Sequence, residues 1–232
     1  MQDLSALRAR LEGATIALDL DGTLVDTAPD LHRALNHVLE LENLPLSSLD
    51  DVRRDVGQGA RVLIQRSMAA HGIDLVSERL DELTEIYVEA YARDISSLSA
   101  VFPHVFETLD LFLEAGARLT VCTNKRTGLS RQLLDEVKLT PYFGAIVGAD
   151  LVANRKPHAD HFRAAVMHAG GDPGRAMMVG DSAADVGSAR AAGAPVVVAS
   201  FGYTDTAPEL LGADAVFSSY SELPDLAVRL LA

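Results

Sequence analysis

Asp19 and Asp21 stand two residues apart, just after a short apolar run at Ile16–Leu18. Such a run predicts a buried strand, in which residues two apart share one face. Gly22 then allows the backbone to turn sharply. We therefore expect two neighbouring carboxylates at the carboxyl end of a strand, which is where open parallel sheets bind ligands.

Two adjacent carboxylates repel each other unless positive charge lies close by. A divalent cation such as Mg²⁺, which prefers oxygen ligands, would supply that charge. A second interpretation divides the labour, with one aspartate acting as nucleophile and the other carrying protons. The third is a solvated Asp-x-Asp-Gly turn without chemistry, and these residues alone leave all three open.

Two later segments also place polar residues beside predicted strands or helices. Thr123-Asn124 follow the apolar run Leu119–Cys122, and could either hold a phosphate oxygen or cap the next helix. Lys156-Pro157 open another predicted helix, because proline fits a first helical turn. Lys156 would then be solvated or would neutralise an anionic partner.

Asp181 and Asp185 form the last such pair, after the predicted strand Ala176–Val179. Two acids four residues apart share a face at the start of a helix. Acids in a first helical turn are also ordinary capping residues. The strand-end position of Asp181, which matches that of Asp19, favours a shared site.

The elements that must position these residues fall into two groups. From Ala28 to about Ser97, apolar residues recur at helical spacing without a convincing strand. From Ser99 onward, helices and short strands alternate, which predicts an α/β fold with a doubly wound, Rossmann-like parallel sheet. We assign residues 1–27 and 99–232 to this core. Residues 28–98 are too long for a loop and are predicted to form an inserted, all-helical cap domain.

Composition excludes several classes of function for this 232-residue chain. A formal net charge of -13 argues against binding to nucleic acid or to an anionic membrane. The single cysteine, Cys122, cannot form an intramolecular disulfide, and no Cys/His cluster suggests zinc. Met1–Glu12 carries charges of both signs and no long apolar run, so we expect no signal peptide, no membrane span and a cytoplasmic location.

Four segments together resemble the four ordered motifs of the haloacid dehalogenase-like hydrolases, and the resemblance covers essentially the whole chain. The segments are Asp19-Leu-Asp-Gly-Thr-Leu-Val25, Thr123-Asn124, Lys156-Pro157 and Gly180-Asp-Ser-x-x-Asp185. The resemblance implies that Asp19 attacks phosphorus and forms an aspartyl-phosphate. It also implies that Asp21 protonates the leaving alkoxide and then activates water.

The resemblance further implies a Mg²⁺ site made by the Asp19 carboxylate, the Asp21 backbone carbonyl and Asp181. Asp185 would support the metal ligands or orient Lys156. Phosphoryl transfer depends mainly on positioning and on charge neutralisation, which the metal and Lys156 would supply.

Thr123 and Asn124 would bind the phosphoryl oxygens, and the resemblance places Thr123 with Lys156 among the catalytic residues. Position 21 also discriminates within the family, since its dehalogenases and phosphonatases lack this aspartate. Its sugar-phosphate mutases usually carry a histidine about ten residues later, where this chain has Leu31 with His32 beside it. That difference weakens the mutase alternative.

Finer similarity is to the phosphoglycolate phosphatases of that family. It is carried by Val25-Asp-Thr-Ala-Pro-Asp-Leu31, Val56-Gly-Gln-Gly-Ala60, Phe102-Pro-His-Val105, Thr123-Asn-Lys125, Lys156-Pro-His158 and Phe201-Gly-Tyr203. Gly57 and Gly59 would place a flexible cap loop over the site. Arg61 or Arg66 would lie near a substrate carboxylate, which arginine recognises well, although either could be an ordinary solvated residue.

These observations predict a Mg²⁺-dependent phosphatase acting on a small phosphate monoester, with 2-phosphoglycolate the first choice. The alternatives are a sugar-phosphate phosphatase, a pyrophosphatase or a phosphomutase of the same superfamily. A more remote one is a regulator that binds a phosphorylated ligand without catalysis. We expect a small-molecule phosphate ester as partner, no nucleic acid or membrane, and a monomer or homodimer.

Overall fold

The computed structural model describes residues 4–231, so predictions that fall on residues 1–3 and on residue 232 lie outside that part of the chain. Its elements follow the predicted succession of one strand, a helical block and alternating strands and helices. In chain order they are α1 (Leu4–Leu11), β1 (Thr15–Leu18), β2 (Val25–Asp26), α2 (Ala28–Leu41), α3 (Leu49–Asp55), α4 (Ala60–Ala70), α5 (Ser77–Arg93), β3 (Ala100–Val101), α6 (Val105–Glu114), β4 (Arg118–Cys122), α7 (Thr127–Glu136), β5 (Ala145–Val147), α8 (Ala159–His168), β6 (Ala176–Gly180), α9 (Ala183–Ala192), β7 (Val196–Ala199), β8 (Ala215–Phe217) and α10 (Leu223–Leu230). Short 3-10 helices cover Thr140–Tyr142, Ala149–Leu151, Pro173–Arg175, Pro208–Leu210 and Tyr220–Glu222.

Six strands form one parallel sheet in the order β5-β4-β1-β6-β7-β8. In the middle of the sheet, Thr15 of β1 pairs with Arg118 of β4 on one side and with Ala176 of β6 on the other. All four residues of β1 are buried, as expected for a strand covered on both faces. The carboxyl ends of β1, β4 and β6 therefore meet at one edge of the sheet.

Helices cover both faces of this sheet. On one face α1, α6 and α10 pack together over Ile16 and Leu18. On the other face α8 and α9 pack together over Ala17, which the alternation of side chains along β1 directs that way. The predicted doubly wound α/β fold is confirmed. Within residues 4–231, no helix combines the length and the apolar character that crossing a bilayer requires.

Helices α2 to α5 form a block between β2 and β3 and pack on one another. The short strands β2 and β3 pair antiparallel, with Val25 opposite Val101 and Asp26 opposite Ala100. The chain therefore leaves the sheet and returns to it along adjacent paths. This helical block corresponds to the segment 28–98, whose standing as a separate cap domain stays a prediction.

Asp30 fastens the two connections to each other. Its buried carboxylate accepts hydrogen bonds from the Ser97 hydroxyl (2.9 Å), the Leu98 N–H (2.9 Å) and the Ser99 hydroxyl (2.7 Å). A buried carboxylate needs such donors because it has lost its hydration. The outgoing helix α2 is thus joined to the returning segment before β3.

Candidate active site

Asp19 and Asp21 follow β1 directly, as the sequence predicts. The Asp19 side chain is buried, and its Oδ1 accepts a hydrogen bond from the Leu20 N–H at 2.7 Å. Gly22 has φ +79°, and a Cβ atom there would lie 2.5 Å from Oδ2 of Asp181. The turn therefore requires glycine both for its left-handed backbone and for the close approach of a second carboxylate.

Lys156 lies between two of the acids. Its Nζ is 3.0 Å from Asp19 Oδ2 and 2.6 Å from Asp185 Oδ1, and it donates to the Cys122 carbonyl at 2.7 Å. Burial alone would lower the pKa of Lys156, but the charges of Asp185 and Asp19 outweigh it and raise that pKa. The ammonium is therefore held charged in a buried position.

The environment of Asp19 favours its neutral form. Burial, opposed by the charge of Lys156 and assisted by the charges of Asp185 and Asp21, raises the pKa of Asp19 from 3.8 to about 6. Asp19 is thus a carboxylate held in an electrostatically unfavourable place. Additional positive charge would stabilise its ionised form.

Asp181 is oriented by two donors from different parts of the chain. The Thr23 hydroxyl donates to its Oδ1 at 2.7 Å, and the Tyr203 N–H donates to its Oδ2 at 2.6 Å. Burial, followed by the charges of Asp185 and Asp19, raises the pKa of Asp181 well above its ordinary value. These hydrogen bonds fix the position of the carboxylate, while the negative charges of the neighbouring acids destabilise its ionised form.

The three carboxylates of Asp19, Asp181 and Asp185 offer oxygen atoms that all lie within 4.8 Å of one another, and all three residues are buried. Buried acids at this distance need a cation, and Lys156 contacts only two of the three, Asp19 and Asp185. The ligand atoms are hard oxygens, which suits Mg²⁺. The residues present therefore fit the predicted metal.

Asp185 differs from the other two acids because both of its oxygens are engaged within the chain. Oδ1 accepts from Lys156, and Oδ2 accepts from the Asp181 N–H (3.2 Å), the Ser182 N–H (3.0 Å) and the Ser182 hydroxyl (2.6 Å). With Ser182 it forms the capping box of α9. This geometry agrees with the predicted supporting role, which stays a prediction.

Thr123 and Asn124 lie just after β4, beside the acids in the sheet order. Helix α7 begins at Thr127 with Arg126 as its N-cap, so neither residue caps it. The Thr123 oxygen accepts a hydrogen bond from the Lys125 N–H at 3.2 Å, which leaves its hydroxyl hydrogen to donate. The Asn124 amide donates to the carbonyls of Gly57 (3.0 Å) and Lys156 (3.2 Å), so a phosphate contact from Asn124 would use its backbone N–H.

The predicted cap loop does reach the strand ends. Gly57 and Gly59 have φ +100° and +86°, and a Cβ atom on Gly59 would lie 3.0 Å from Nη1 of Arg155 and 3.4 Å from the Asn124 carbonyl oxygen. The positive φ of both residues favours glycine, and the Asn124 carbonyl oxygen lies at van der Waals distance from the Cβ position of Gly59. The bond from Asn124 to Gly57 links the two sides.

The two arginines considered for a substrate carboxylate are both exposed and paired. Arg61 lines the cavity beside the site, and its Nε lies 2.7 Å from Asp81 Oδ1. The Nη1 of Arg66 lies 2.9 Å from Asp55 Oδ1. The predicted contact of Arg61 with substrate stays a prediction, and it would require exchange of the Asp81 partner.

Pro157 was expected in the first turn of a helix, and this is wrong. Helix α8 begins at Ala159 with His158 as its N-cap, so Pro157 precedes the helix, after a cis Lys156-Pro157 peptide bond. Lys156 is therefore held by its contacts with Cys122 and the acids, and not by the end of a helix.

Sequence reasoning assigned no role to Lys125, although it lies at the same site. Its Nζ lies 2.6 Å from Oδ1 of Asp21, which also accepts a hydrogen bond from the Thr27 hydroxyl at 2.7 Å. The ammonium also lies 4.5 Å from the centroid of the Tyr91 ring, a cation–π contact. The sequence did contain a signal for Lys125: the segment Thr123-Asn-Lys125 resembles the phosphoglycolate phosphatases, but that resemblance assigned no role to the lysine.

Tyr203 was missed in the same way. Its N–H fixes Asp181, and its hydroxyl accepts a hydrogen bond from the Ala28 N–H at 2.9 Å and donates to the Asp26 carboxylate. Asp26 and Ala28 lie where the chain enters the helical block. One side chain thus connects the acid cluster with that entry point.

A cavity of about 380 Å³ lies between the strand ends and the helical block. The core contributes Asp19, Asp21 and Thr123 to its walls, and α5 contributes Tyr87 and Tyr91. Lys156 and Asp181 are buried, each with about 2% of its surface exposed. Asp19 and Asp21 line the cavity, so a ligand there would contact the two aspartates that follow β1.

His161 is buried, binds the backbone of Lys156 and is held in its neutral form. Its Nδ1 accepts from the Lys156 N–H (3.2 Å), so its Nε2–H donates to the Val147 carbonyl (3.1 Å). Burial, followed by the charge of Lys156, lowers the pKa of His161 from 6.5 to about 4. Between these values the unfolded chain binds more protons than the folded one, so acidification favours unfolding.

We expect this histidine to reduce the free energy of unfolding by up to about 3 kcal/mol between pH 7 and pH 4. His161→Gln should remove that part of the pH dependence, as measured by denaturant unfolding at several pH values. His168→Gln, at the exposed end of the same helix, is the matched control and should unfold with the wild-type pH dependence. Parallel curves for His161→Gln and the wild type would refute the assignment.

A family model described as haloacid dehalogenase-like hydrolase matches residues 16–199. The chain is 51% identical over 221 residues to a phosphoglycolate phosphatase from Caulobacter vibrioides, covering 95% of this chain and 93% of that protein. It is 42% identical over 217 residues to a phosphoglycolate phosphatase from Mesorhizobium japonicum, covering 93% and 96%.

The fold also has a close match among solved structures. A crystal structure described as a predicted phosphoglycolate phosphatase from Haemophilus somnus superposes with a TM-score of 0.85 at 29% sequence identity. The match covers 92% of this chain and 97% of that one, so it includes both the sheet and the helical block.

Proposed function

This chain belongs to the haloacid dehalogenase-like hydrolase family, and from that premise we propose that it is a Mg²⁺-dependent phosphatase that converts 2-phosphoglycolate to glycolate and inorganic phosphate. The relatives named phosphoglycolate phosphatase, at 51% and 42% identity over nearly the whole chain, support this substrate. The assignment of residue roles is part of the same proposal.

One observation carries the proposal: Asp19 and Asp21 face the cavity at the end of β1, with Lys156 3.0 Å from Asp19. A nucleophile, an acid/base and a fixed cation are the groups that hydrolysis through a phosphorylated aspartate requires. Thr123, on the wall of the same cavity, adds a hydroxyl donor for a phosphoryl oxygen.

In the first step an oxygen of Asp19 attacks phosphorus, and the bond from phosphorus to the glycolate oxygen breaks. Asp21 gives its proton to that oxygen, so glycolate leaves as a neutral hydroxyl group rather than as an alkoxide. Asp19 then carries the phosphoryl group as an acyl phosphate. Lys156 and Thr123 offset the charge on the phosphoryl oxygens.

In the second step Asp21, now ionised, removes a proton from water as the water oxygen attacks phosphorus. The bond between phosphorus and the Asp19 oxygen breaks, which releases inorganic phosphate and restores the Asp19 carboxylate. Asp21 finishes the cycle protonated, as it began. One residue can serve both steps because proton donation and proton removal alternate at the same side of phosphorus.

The Asp19 and Asp181 carboxylates and the Asp21 backbone carbonyl would hold Mg²⁺, and Asp185 would orient Lys156 beside them. When bound, Mg²⁺ supplies positive charge to the phosphate and to the acids. Thr23 and Tyr203 fix the Asp181 carboxylate in advance, which reduces the cost of assembling the site.

The helical block would act as a lid over the cavity. In this structure the loop with Gly57 is linked to the core through Asn124, which corresponds to a closed arrangement. Opening would break that bond and admit substrate, and closure would exclude bulk water from the phosphorylated aspartate. The paired connections at Val25–Asp26 and Ala100–Val101 are the natural hinge.

The substrate assignment predicts the outcome of a phosphate-release assay with Mg²⁺. We expect kcat/KM for 2-phosphoglycolate to exceed that for sugar phosphates, pyrophosphate and nucleotides by roughly 100-fold or more. A site fitted to the carboxylate of the substrate rejects ligands that lack this carboxylate. Equal efficiency on a sugar phosphate would refute the substrate. Conversion of a sugar phosphate to its isomer without phosphate release would instead support the mutase alternative.

A further inference from the structure

Lys125 is a buried cation on the cavity wall that the proposed reaction does not use. Its side chain is 5% exposed, its Nζ is 2.6 Å from Asp21 Oδ1, and it lies over the Tyr91 ring. An ammonium group has three donors, and within residues 4–231 these contacts engage one carboxylate oxygen and one ring face. The group can therefore accept a further anionic partner.

The other cations that line the cavity differ from Lys125 in exposure or in pairing. Arg61 is paired with Asp81 and Arg126 with Glu85, and both arginines are exposed. Arg155 is exposed and lies against Gly59, at the loop of the helical block. Among the cations that line the cavity within residues 4–231, Lys125 is the one that combines burial with direct contact to the predicted acid/base.

The covalent geometry of the substrate matches this position. The oxygen that Asp21 protonates must lie within hydrogen-bond distance of the Asp21 carboxylate. In a phosphorylated 2-hydroxy acid, the carboxylate carbon is two bonds from that oxygen, about 2.4 Å away. A carboxylate so close to the oxygen facing Asp21 lies within reach of a cation that itself contacts Asp21.

We infer that Lys125 is a specificity-determining residue that binds the carboxylate of a phosphorylated 2-hydroxy acid. This inference rests on the proposed function and names the group that selects its substrate. An ester without the carboxylate would place an alkyl group beside this buried ammonium and leave its remaining donors without an acceptor. Selection against such esters then follows from the cost of buried donors that have no partner.

The test compares 2-phosphoglycolate with ethyl phosphate, which replaces the carboxylate by a methyl group and keeps the same two-carbon chain. For the wild type we expect kcat/KM to be at least 100-fold higher with 2-phosphoglycolate. Lys125→Met should reduce this ratio to less than about 5, chiefly by raising KM for 2-phosphoglycolate. Efficiency on ethyl phosphate should also fall, but less, because Asp21 loses a partner.

Two variants sharpen the comparison. Lys125→Arg retains a cation and should recover part of the preference. Arg126→Gln removes a cation from the same wall, one already paired with Glu85, and should keep the wild-type ratio.

The outcomes separate this inference from the proposed function. If the wild type prefers 2-phosphoglycolate and Lys125→Met keeps the full preference, the role of Lys125 is refuted and the function stands. If Lys125→Met lowers kcat/KM equally for both substrates, Lys125 acts only through Asp21, and its proposed contact with the substrate carboxylate is refuted. A wild type without preference for 2-phosphoglycolate would overturn both.

Discussion

Replacing Asp19 by asparagine is expected to lower kcat for 2-phosphoglycolate by about 10⁴-fold or more, because an amide cannot attack phosphorus. The fold should survive, since Lys156 keeps Asp185 and the Cys122 carbonyl as partners. Burial and neighbouring acids already raise the pKa of Asp19 to about 6, so removing its charge also relieves repulsion. We expect the Tm to stay constant or to rise.

The measurement pairs steady-state kinetics with acid quenching of the enzyme after mixing with a ³²P-labelled substrate. Asp21→Asn is the matched control, because it changes an acid two residues away and leaves the nucleophile in place. With an aryl phosphate, whose leaving group needs no proton, Asp21→Asn should accumulate phosphoenzyme and Asp19→Asn should form none. A folded Asp19→Asn protein with wild-type turnover at saturating Mg²⁺ would contradict the assigned nucleophile.

Lys156→Met should reduce both activity and stability. Without the ammonium, phosphoryl charge is less well neutralised, and we expect kcat to fall by about 10³-fold. Two buried acids, Asp19 and Asp185, would also lose their common partner, which is expected to lower the free energy of unfolding by about 3–5 kcal/mol. The loss follows from leaving buried charge uncompensated, and it does not measure the net contribution of the ion pairs.

The pH dependence of this variant gives a second readout. Lys156 lowers the pKa of Asp19, so its removal raises that pKa beyond about 6. The folded variant then binds a proton that the unfolded chain releases near pH 4, and its stability falls as the pH rises. The difference in Tm from the wild type should therefore be larger at pH 8 than at pH 5.

Lys138→Met is the matched control for Lys156→Met, because it makes the same chemical change at an exposed lysine. Activity and Tm should stay at wild-type values. If Lys156→Met also kept wild-type activity, the proposed charge neutralisation would be wrong. A large loss of Tm alone would then mark Lys156 as purely structural.

The positions of Asp19, Thr123 and Asp181 along the sheet could be predicted because each of them directly follows a strand in sequence. Ile16–Leu18 and Ala176–Val179 are continuous apolar runs that predict strands. The acids that follow these runs in sequence must therefore lie at the carboxyl ends of the strands. Once the strands are parallel, their ends meet at one edge. No tertiary information beyond the alternation of strands and helices was needed.

Helix α3 (Leu49–Asp55) could not be delimited within the predicted helical segment, and its sequence shows why. It has only two apolar residues, Leu49 and Val52, so it lacks the stripe that marks longer helices. Its one local signal is the capping box between Ser48 and Asp51. The pairing of β2 with β3 was missed for a related reason, since two residues carry no periodicity.

The contacts of Lys125, Tyr203 and Asn124 could not be derived from sequence because they join distant parts of the chain. Lys125 meets Asp21 across 104 positions, and Tyr203 meets Asp26 across 177. Asn124 shows the difference most clearly: its type suggested phosphate binding, but its amide links the Gly57 loop to Lys156. Which of several acceptors an amide takes depends on packing that no local pattern encodes.

The side-by-side connections at Val25–Asp26 and Ala100–Val101 bear on how such an enzyme could diversify. The segment between them is an insertion into the sheet fold, and its two ends are already held together by the pairing of β2 with β3 and by the hydrogen bonds of Asp30. Exchanging or lengthening that insertion changes the closure entropy only slightly. Replacement of the inserted segment could therefore change the residues that line the cavity, while the arrangement of acids after β1 stays the same.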